Sequence, residues 1–184
     1  MSEYRILVLV GSLRADSLNA KLADAVARLA PADFRFQRAE LADLPFYNQD
    51  EAEKLPSAVR QLRTDIQAAQ GILFVTPEYN RSIPALLKNA IDYVSWPPEQ
   101  SVWTGKPAGV LGISPGPVGT AAAQQHLRNI LSSLDVVVFG KPEAFVQAKD
   151  DLFDSRGNIA APRREFFQTW MDKFVAWTER HATW

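Results

Sequence analysis

The sequence predicts an α/β fold: a doubly wound, five-stranded parallel sheet with helices on both faces. Three observations predict it. Short apolar runs, as expected of strands buried on both faces, alternate along the chain with segments of helical period. Loops rich in polar chemistry leave the carboxyl ends of two of those runs. The length, 184 residues, suits one domain spanning 1–184 with a full core and leaves little room for a second.

The elements follow in order. Arg5–Val10 is a continuous apolar run and reads as the first strand. Gly11 to Asp16 is a loop. From Ser17 the apolar positions Leu18, Leu22, Val26 and Leu29 keep helical spacing, and Pro31 closes that helix. Phe34–Arg38 is a more polar strand, suited to an edge. Residues 41–53 are irregular and contain Pro45. Leu55, Val59, Leu62 and Ile66 mark a second helix, Ile72–Thr76 a third strand, and Ile83–Val94 a third helix that Pro97-Pro98 ends. Ala108–Ser114 is the fourth strand, followed by the turn 115–119 and a helix from Thr120 to Ser133. Val136–Phe139 is the fifth strand. Residues 152–159 suit a small hairpin or loop excursion. Phe166, Trp170, Phe174 and Trp177 stripe a terminal helix that starts near Pro162, and that stripe is expected to be core.

Right-handed crossovers restrict how such a chain closes its sheet. Five strands alternating with five helices favour the flavodoxin-like order 2-1-3-4-5, a three-layer sandwich with its crevice between strands 1 and 3. The loops at 11–19 and 77–82 leave the carboxyl ends of those two strands. The 114–119 turn leaves strand 4 on the same rim.

Composition narrows the function. Hydrophobic residues make up 47% of the chain, so it is globular. With 20 basic and 21 acidic residues, charge gives no argument for a nucleic-acid or membrane partner. There is no cysteine, which removes disulfides, thiolate nucleophiles and Cys-based metal sites. The two histidines, His126 and His181, are too far apart for a His-pair zinc motif. No apolar run approaches the roughly 20 residues that span a bilayer, and no signal peptide is visible. The expectation is a cytoplasmic protein without a metal.

Gly11-Ser-Leu-Arg-Ala-Asp-Ser-Leu-Asn19 joins a turn glycine, two hydroxyls, an arginine and an amide at a helix start. Free N–H groups and the helix dipole make that end an anion site. Ser12, Arg14 and Ser17 can add donors. Residue types alone leave phosphate binding and plain capping equally open. The stretch is neither a P-loop nor a dinucleotide fingerprint. Pro77-Glu78-Tyr79-Asn80 is a proline-bounded loop carrying an acid, a ring and an amide. A flat heteroaromatic ligand needs such an apolar face with backbone groups at its edge. Opposite a phosphate-type loop, this points to a mononucleotide. The Ser114–Gly119 turn could wrap the far side of a ring, or be only a connection. His126 reads as a packing or interface residue. Trp96 and Trp103 read as buried anchors, or as residues at a subunit boundary or site rim.

Gly11-Ser-Leu-Arg14…Ser17-x-Asn19, with Pro77-Glu-Tyr-Asn-x-Ser-Ile-Pro84 and Leu87-Lys-Asn-Ala-Ile-Asp92, resembles the NADPH-dependent FMN reductase family, in particular bacterial quinone and chromate reductases. The resemblance extends through Gly105-Lys-Pro107, Gln125-His-Leu-Arg128 and Lys141-Pro-Glu143 to roughly the whole chain. It implies a flavodoxin-like fold and non-covalent FMN. It places the phosphate on Ser12, Arg14, Ser17 and Asn19, and the isoalloxazine against Pro77, Glu78, Tyr79 and Asn80, with Ser114 and Gly116 nearby and Gly11 and Ser82 also among the cofactor-binding residues. It implies a homodimer or homotetramer in which helices 83–95 and 120–133 pack across subunits. Arg81, Tyr93, Trp96, Ala122 and Gln125 depart from residues frequent in the family.

The function so implied is an NAD(P)H oxidoreductase that reduces quinones or other small acceptors by ping-pong hydride transfer through FMN. No side chain is required as an obligate acid or base, since the cofactor carries the chemistry. The alternatives are a reductase that supplies reduced FMN to a partner monooxygenase and a flavodoxin-type electron carrier. Neither the choice of NADH or NADPH nor the acceptor is legible.

Overall fold

In the computed structural model, described over residues 3–183, the strands are β1 (Tyr4–Val10), β2 (Phe34–Arg38), β3 (Gly71–Val75), β4 (Pro107–Ser114), β5 (Val137–Val138) and β6 (Ala144–Gln147). The helices are α1 (Leu18–Ala27), α2 (Ser57–Ala68), α3 (Ala85–Ser95), α4 (Ala121–Ser133) and α5 (Ala161–His181). The sheet order is β2-β1-β3-β4-β5, and all pairs are parallel. This is the expected flavodoxin-like order, with β2 at one edge. The order reverses between β1 and β3, whose registers align Val8 with Leu73 and Val10 with Val75.

The period-2 alternation of each strand sends its side chains to opposite layers. Leu7, Leu9, Ile72 and Phe74 pack under α2, α3 and α4, against residues such as Leu62, Ile66, Leu87, Ile91 and Leu127. Ile6, Val8, Leu73 and Val75 pack under α1 and α5, against Leu22, Val26, Trp170 and Phe174. That is why β1 and β3 read as unbroken apolar runs. Each such buried side chain contributes about 1.5–3 kcal/mol relative to exposure.

Residues 41–53, irregular in sequence, are ordered by α3. Asn89 Nδ2 donates to Pro45 O at 2.7 Å, and Asn89 Oδ1 accepts from Tyr47 N at 2.8 Å. The Tyr93 hydroxyl lies 2.9 Å from Phe46 O and 2.8 Å from a Glu51 carboxylate oxygen. Burial of the ring, and then that carboxylate, push the Tyr93 hydroxyl up to about 12.

Two expectations need correction, and one open reading is resolved. The fifth strand is not the single run 136–139. β5 pairs only with Pro107 and Ala108 of β4; after Gly140-Lys141-Pro142 the chain returns as β6 along Leu111–Ser114. Pro142 has no N–H to give a ladder, which separates the two pieces. The stripe on α5 is also shifted. Phe166 is 43% exposed, while Phe167, Trp170, Met171 and Phe174 are buried. Adjacent phenylalanines fit the helical period equally well, so the period alone could not choose between them. Finally, of the readings open for Trp103 the buried anchor holds and the rim or boundary does not: it is fully buried, its Nε1 donates to Ile91 O at 3.1 Å, and its ring lies 5.8 Å from that of Phe74. Trp96 is half-buried. The small hairpin is present as a bridge between Phe153 and Ile159.

Trp103→Ala should lower unfolding free energy by about 3–5 kcal/mol, the usual cost of deleting a buried large aromatic. Urea denaturation followed by circular dichroism measures this. A midpoint within error of wild type would show that the indole does not hold the layer under α3.

Candidate functional site

β1 ends at Gly11, which sits where the two crossing loops meet. A Cβ there would stand 2.7 Å from Pro84 Cγ, 2.9 Å from Leu87 Cδ1 and 2.9 Å from Pro77 Cδ. Only glycine lets the loop after β1 lie against the loop after β3. Gly11 N donates to Val75 O at 2.9 Å, completing the ladder at that point.

The loop then turns into α1. Ser17 is the N-cap, buried, with its Oγ accepting from Ala20 N at 3.2 Å. Capping uses an acceptor site and leaves the O–H hydrogen to point outward, so capping and anion binding are compatible. Ser12 Oγ accepts weakly from Arg14 N at 3.4 Å. Arg14 is exposed at the mouth. The first turn of α1 presents the positive end of its dipole here.

Asn19 has a second task that the sequence did not reveal. β3 stops reaching β4 once Thr76 N has donated to Leu111 O. The Asn19 amide takes over. Its Nδ2 donates to Ile113 O and its Oδ1 accepts from Ile113 N, both at 3.0 Å, in a site that is almost fully buried. Asn19 thus pins α1 to the end of β4, and one amide N–H remains for anything above it.

The loop after β3 is a tight turn. Tyr79 and Ser82 exchange two backbone hydrogen bonds of 3.0 Å. Asn80 and Arg81 between them have φ of 51° and 66°. Asparagine tolerates that left-handed region; arginine is an uncommon occupant. The Glu78 side chain is only 7% exposed. Its Oε2 accepts from Ala123 N at 3.1 Å in the first turn of α4, and its Oε1 accepts from Arg81 at 3.1 Å. Thr120, the N-cap residue of α4, makes no side-chain cap, so Glu78 supplies a carboxylate to that positive helix end. Ser82 Oγ lies 3.0 Å from His126 Nδ1, a second tie between loop and α4. His126 is therefore exposed at the rim and not packed in the layer.

The turn after β4 is cinched shut. The Ser114 hydroxyl donates to Gly119 O. Gly119 has φ of 65°, and a Cβ there would stand 2.7 Å from Phe145 C. Gly116 is exposed, and a Cβ there would meet only Ser114 Oγ, at 3.9 Å, an ordinary contact.

These three segments line one cleft of about 110 Å³. Ser12, Arg14, Ser17 and Asn19 form its floor at α1. Pro77, Glu78 and Tyr79 form one wall, and Ser114 with Pro115 the other. Gly11 lies beneath it. Asn80, Ser82 and Gly116 do not line it: Asn80 is at the turn tip and Ser82 faces His126. Leu18 and Ile113 do line it, unforeseen. Leu18 was legible only as part of the helical stripe, and Ile113 only as a strand residue. Tyr79 leaves 46% of its surface exposed. Drug-sized ligands usually occupy about 300–1,000 Å³, so this cleft has room for only part of such a ligand. Among the described residues, no group of three or more His, Asp and Glu could hold a metal, and no helix is long and apolar enough to cross a membrane.

Relatives place this geometry. The family model for NADPH-dependent FMN reductase matches residues 4–151. A 2-hydroxy-1,4-benzoquinone reductase from a Burkholderia species is 47% identical over 174 residues, 94% of this chain and 95% of its own. A quinone reductase from Pseudomonas putida is 44% identical over 96% of this chain and 95% of its own. Among solved structures, FerB from Paracoccus denitrificans, a flavoenzyme NAD(P)H:(acceptor) oxidoreductase, superposes with a TM-score of 0.94 at 40% identity, over 98% of this chain and all of that one. With its strand order, its three converging loops and these relatives, the chain belongs to the NADPH-dependent FMN reductase family.

Proposed function

We infer that the protein is an FMN-dependent NAD(P)H oxidoreductase that reduces quinones by two electrons. The observation that carries this is the convergence of three loops on one cleft at the strand-order reversal, with a helix N-terminus as its floor. The residues suit FMN. The free O–H of Ser17, the Arg14 guanidinium and the N–H groups at the start of α1 match a phosphate. Pro77 and the Tyr79 ring offer an apolar face, and the adjoining walls are backbone-rich. When bound, FMN supplies hydride acceptance from a nicotinamide and donation to a quinone.

The chain's own residues bind and position. Glu78 holds the ring-bearing loop against α4, and Ser114 holds the opposite turn closed. Because the cleft is shallow, nicotinamide and acceptor share one open face, and no side chain is assigned as an obligate acid or base. The whole chain, 1–184, is read as one FMN-binding domain, acting in the cytoplasm where NAD(P)H is supplied. A second copy packing through α3 and α4, in a homodimer or homotetramer, would finish the walls that one chain leaves open.

Purified protein should be yellow, and anaerobic NADH or NADPH should bleach it. With a quinone, double-reciprocal plots should be parallel, because each substrate must leave before the other enters. Intersecting lines would show that both fit at once. A lack of bleaching by either nicotinamide would point to an electron carrier, and a need for added FMN at each turnover to a flavin-releasing reductase.

Arg14→Ala combined with Ser17→Ala should weaken FMN binding at least tenfold, since a charge-assisted hydrogen bond contributes about 1.5–3 kcal/mol. Apo-protein stability should fall by only about 1 kcal/mol, the worth of a cap. Fluorescence titration and thermal melts separate the two. Unchanged affinity would reduce the loop to a cap. Light scattering at micromolar concentration should give a dimer or tetramer; a fully active monomer would remove the shared-wall reading.

A further inference from the structure

A larger cleft, of about 310 Å³, lies between β6 and the start of α5. We propose that it receives the adenosine end of NADPH, 2′-phosphate included, while the nicotinamide lies at the flavin cleft. The proposal rests on the flavin-site reading above and assigns the donor's far end to residues of this chain.

The first argument is position. Ala148 N donates to Ser114 O at 2.8 Å, and Gln147 Nε2 reaches Pro115 O at 3.4 Å. Ser114 and Pro115 wall the flavin cleft, and Gln147 lines the second one. The two clefts are therefore joined through the Ser114–Pro115 turn. A dinucleotide with its nicotinamide at one cleft has its adenosine one nucleotide away.

The second argument is chemistry. Phe145 and Phe166 line this cleft as large apolar residues left 38% and 43% exposed, and the Phe166 ring packs edge-on against Phe167 at 5.2 Å. Phe167, buried, closes its base. A partly exposed phenyl ring, that of Phe166, over an apolar floor is a stacking surface for a purine. Lys149 and Arg163 stand at the mouth. The acid lining the cleft is Asp151, 3.4 Å from Arg163, with both side chains about half exposed. Such solvent-screened pairs are weak, so the guanidinium is free to exchange a carboxylate for a phosphate, which it can grip with two donors. An arginine near the ribose is how nucleotide sites accommodate a 2′-phosphate.

A further cleft, beside Leu13 and Arg38, is less suited. It adjoins the phosphate loop, not the ring loop. Its Arg38 pairs with Asp24 across side chains as exposed as those of the Arg163 pair, but it also donates to Ala20 O at 2.9 Å, and the lining carries no aromatic ring to receive a purine.

The test titrates adenosine 2′,5′-bisphosphate and adenosine 5′-phosphate into the flavin-loaded protein by calorimetry. The bisphosphate should bind wild type and bind Arg163→Ala about tenfold more weakly, with the monophosphate little affected. In steady state, Arg163→Ala should raise KM for NADPH about tenfold, leave KM for NADH within twofold, and leave kcat and the quinone KM unchanged. Phe166→Ala should raise KM for both nicotinamides alike, since the purine is common to them. Both positions are exposed, so FMN content and melting temperature should hold. Unchanged bisphosphate binding with an unchanged NADPH-to-NADH ratio of KM would overturn the assignment while bleaching by NADPH keeps the enzyme reading intact. A Phe166→Ala protein that changes mass in light scattering but not KM would make the cleft a subunit contact and equally overturn it. Failure of both nicotinamides to bleach wild type would sink the enzyme reading itself, and this one with it.

Discussion

The close approach at Gly11 is the constraint on which the site depends. β1 and β3 are neighbours in the sheet, yet helices on opposite faces follow them. Their loops diverge, and a crevice opens between them. Without a Cβ at Gly11, Pro77, Pro84 and Leu87 close the bottom of that crevice. With one, the loop after β3 would have to lift, because ring carbons of two prolines cannot swing aside as a flexible side chain can. Two polar ties then fix the walls. Asn19 fastens α1 to β4, and Glu78 fastens the ring loop to α4. Each replaces a backbone bond that the architecture leaves unmade: the ladder past Leu111 in one case, the helix start at Ala123 in the other. Neither tie is on the exposed surface, where solvent would weaken it.

Much of this fold was legible. The apolar runs of β1, β3 and β4 and the period of α1 to α4 carried the strand order. What failed were places where two arrangements satisfy the same pattern. Phe166 and Phe167 are adjacent, and the helical period does not say which faces in. Trp103 follows prolines in a polar loop, where local composition left a buried anchor and a boundary both open; its burial depends on Phe74 and on the carbonyl of Ile91, distant in sequence. β6 carries a clean alternation, with Ala144 and Val146 buried and Phe145 partly exposed. It was missed because Val136–Phe139 looked sufficient for a fifth strand.

The site was legible as a set of loops and less so residue by residue. Ser17, Arg14, Pro77 and Tyr79 lie where their types suggested. Asn19, Glu78 and Ser114 also line the cleft, but their polar atoms are largely committed to protein partners. Residue type announces that a side chain can hydrogen-bond; only the fold shows with what. Ser82 and Asn80 belong to the turn that presents Tyr79, not to the surface it presents.

That division of labour bears on what the site can accept. The polar side chains around the cleft act mainly by holding backbone in place, and the apolar part of its lining is left largely to Pro77 and Tyr79, with Leu18, Ile113 and Pro115. Such a surface recognises flatness and an apolar face more than a particular pattern of donors. A site that hydrogen-bonds a substrate rejects analogues that lack the partner group, by leaving its own polar atoms unpaired. Here few side-chain atoms stand to be left unpaired by any acceptor. Discrimination among flat acceptors therefore falls to their fit on an open face and to their ability to take two electrons. On the donor side, if the proposed adenosine site is right, Lys149 and Arg163 of the cleft by α5 are the cations that would distinguish one nicotinamide dinucleotide from the other. On that proposal, selectivity for the donor and tolerance for the acceptor would arise from two surfaces joined through the Ser114–Pro115 turn.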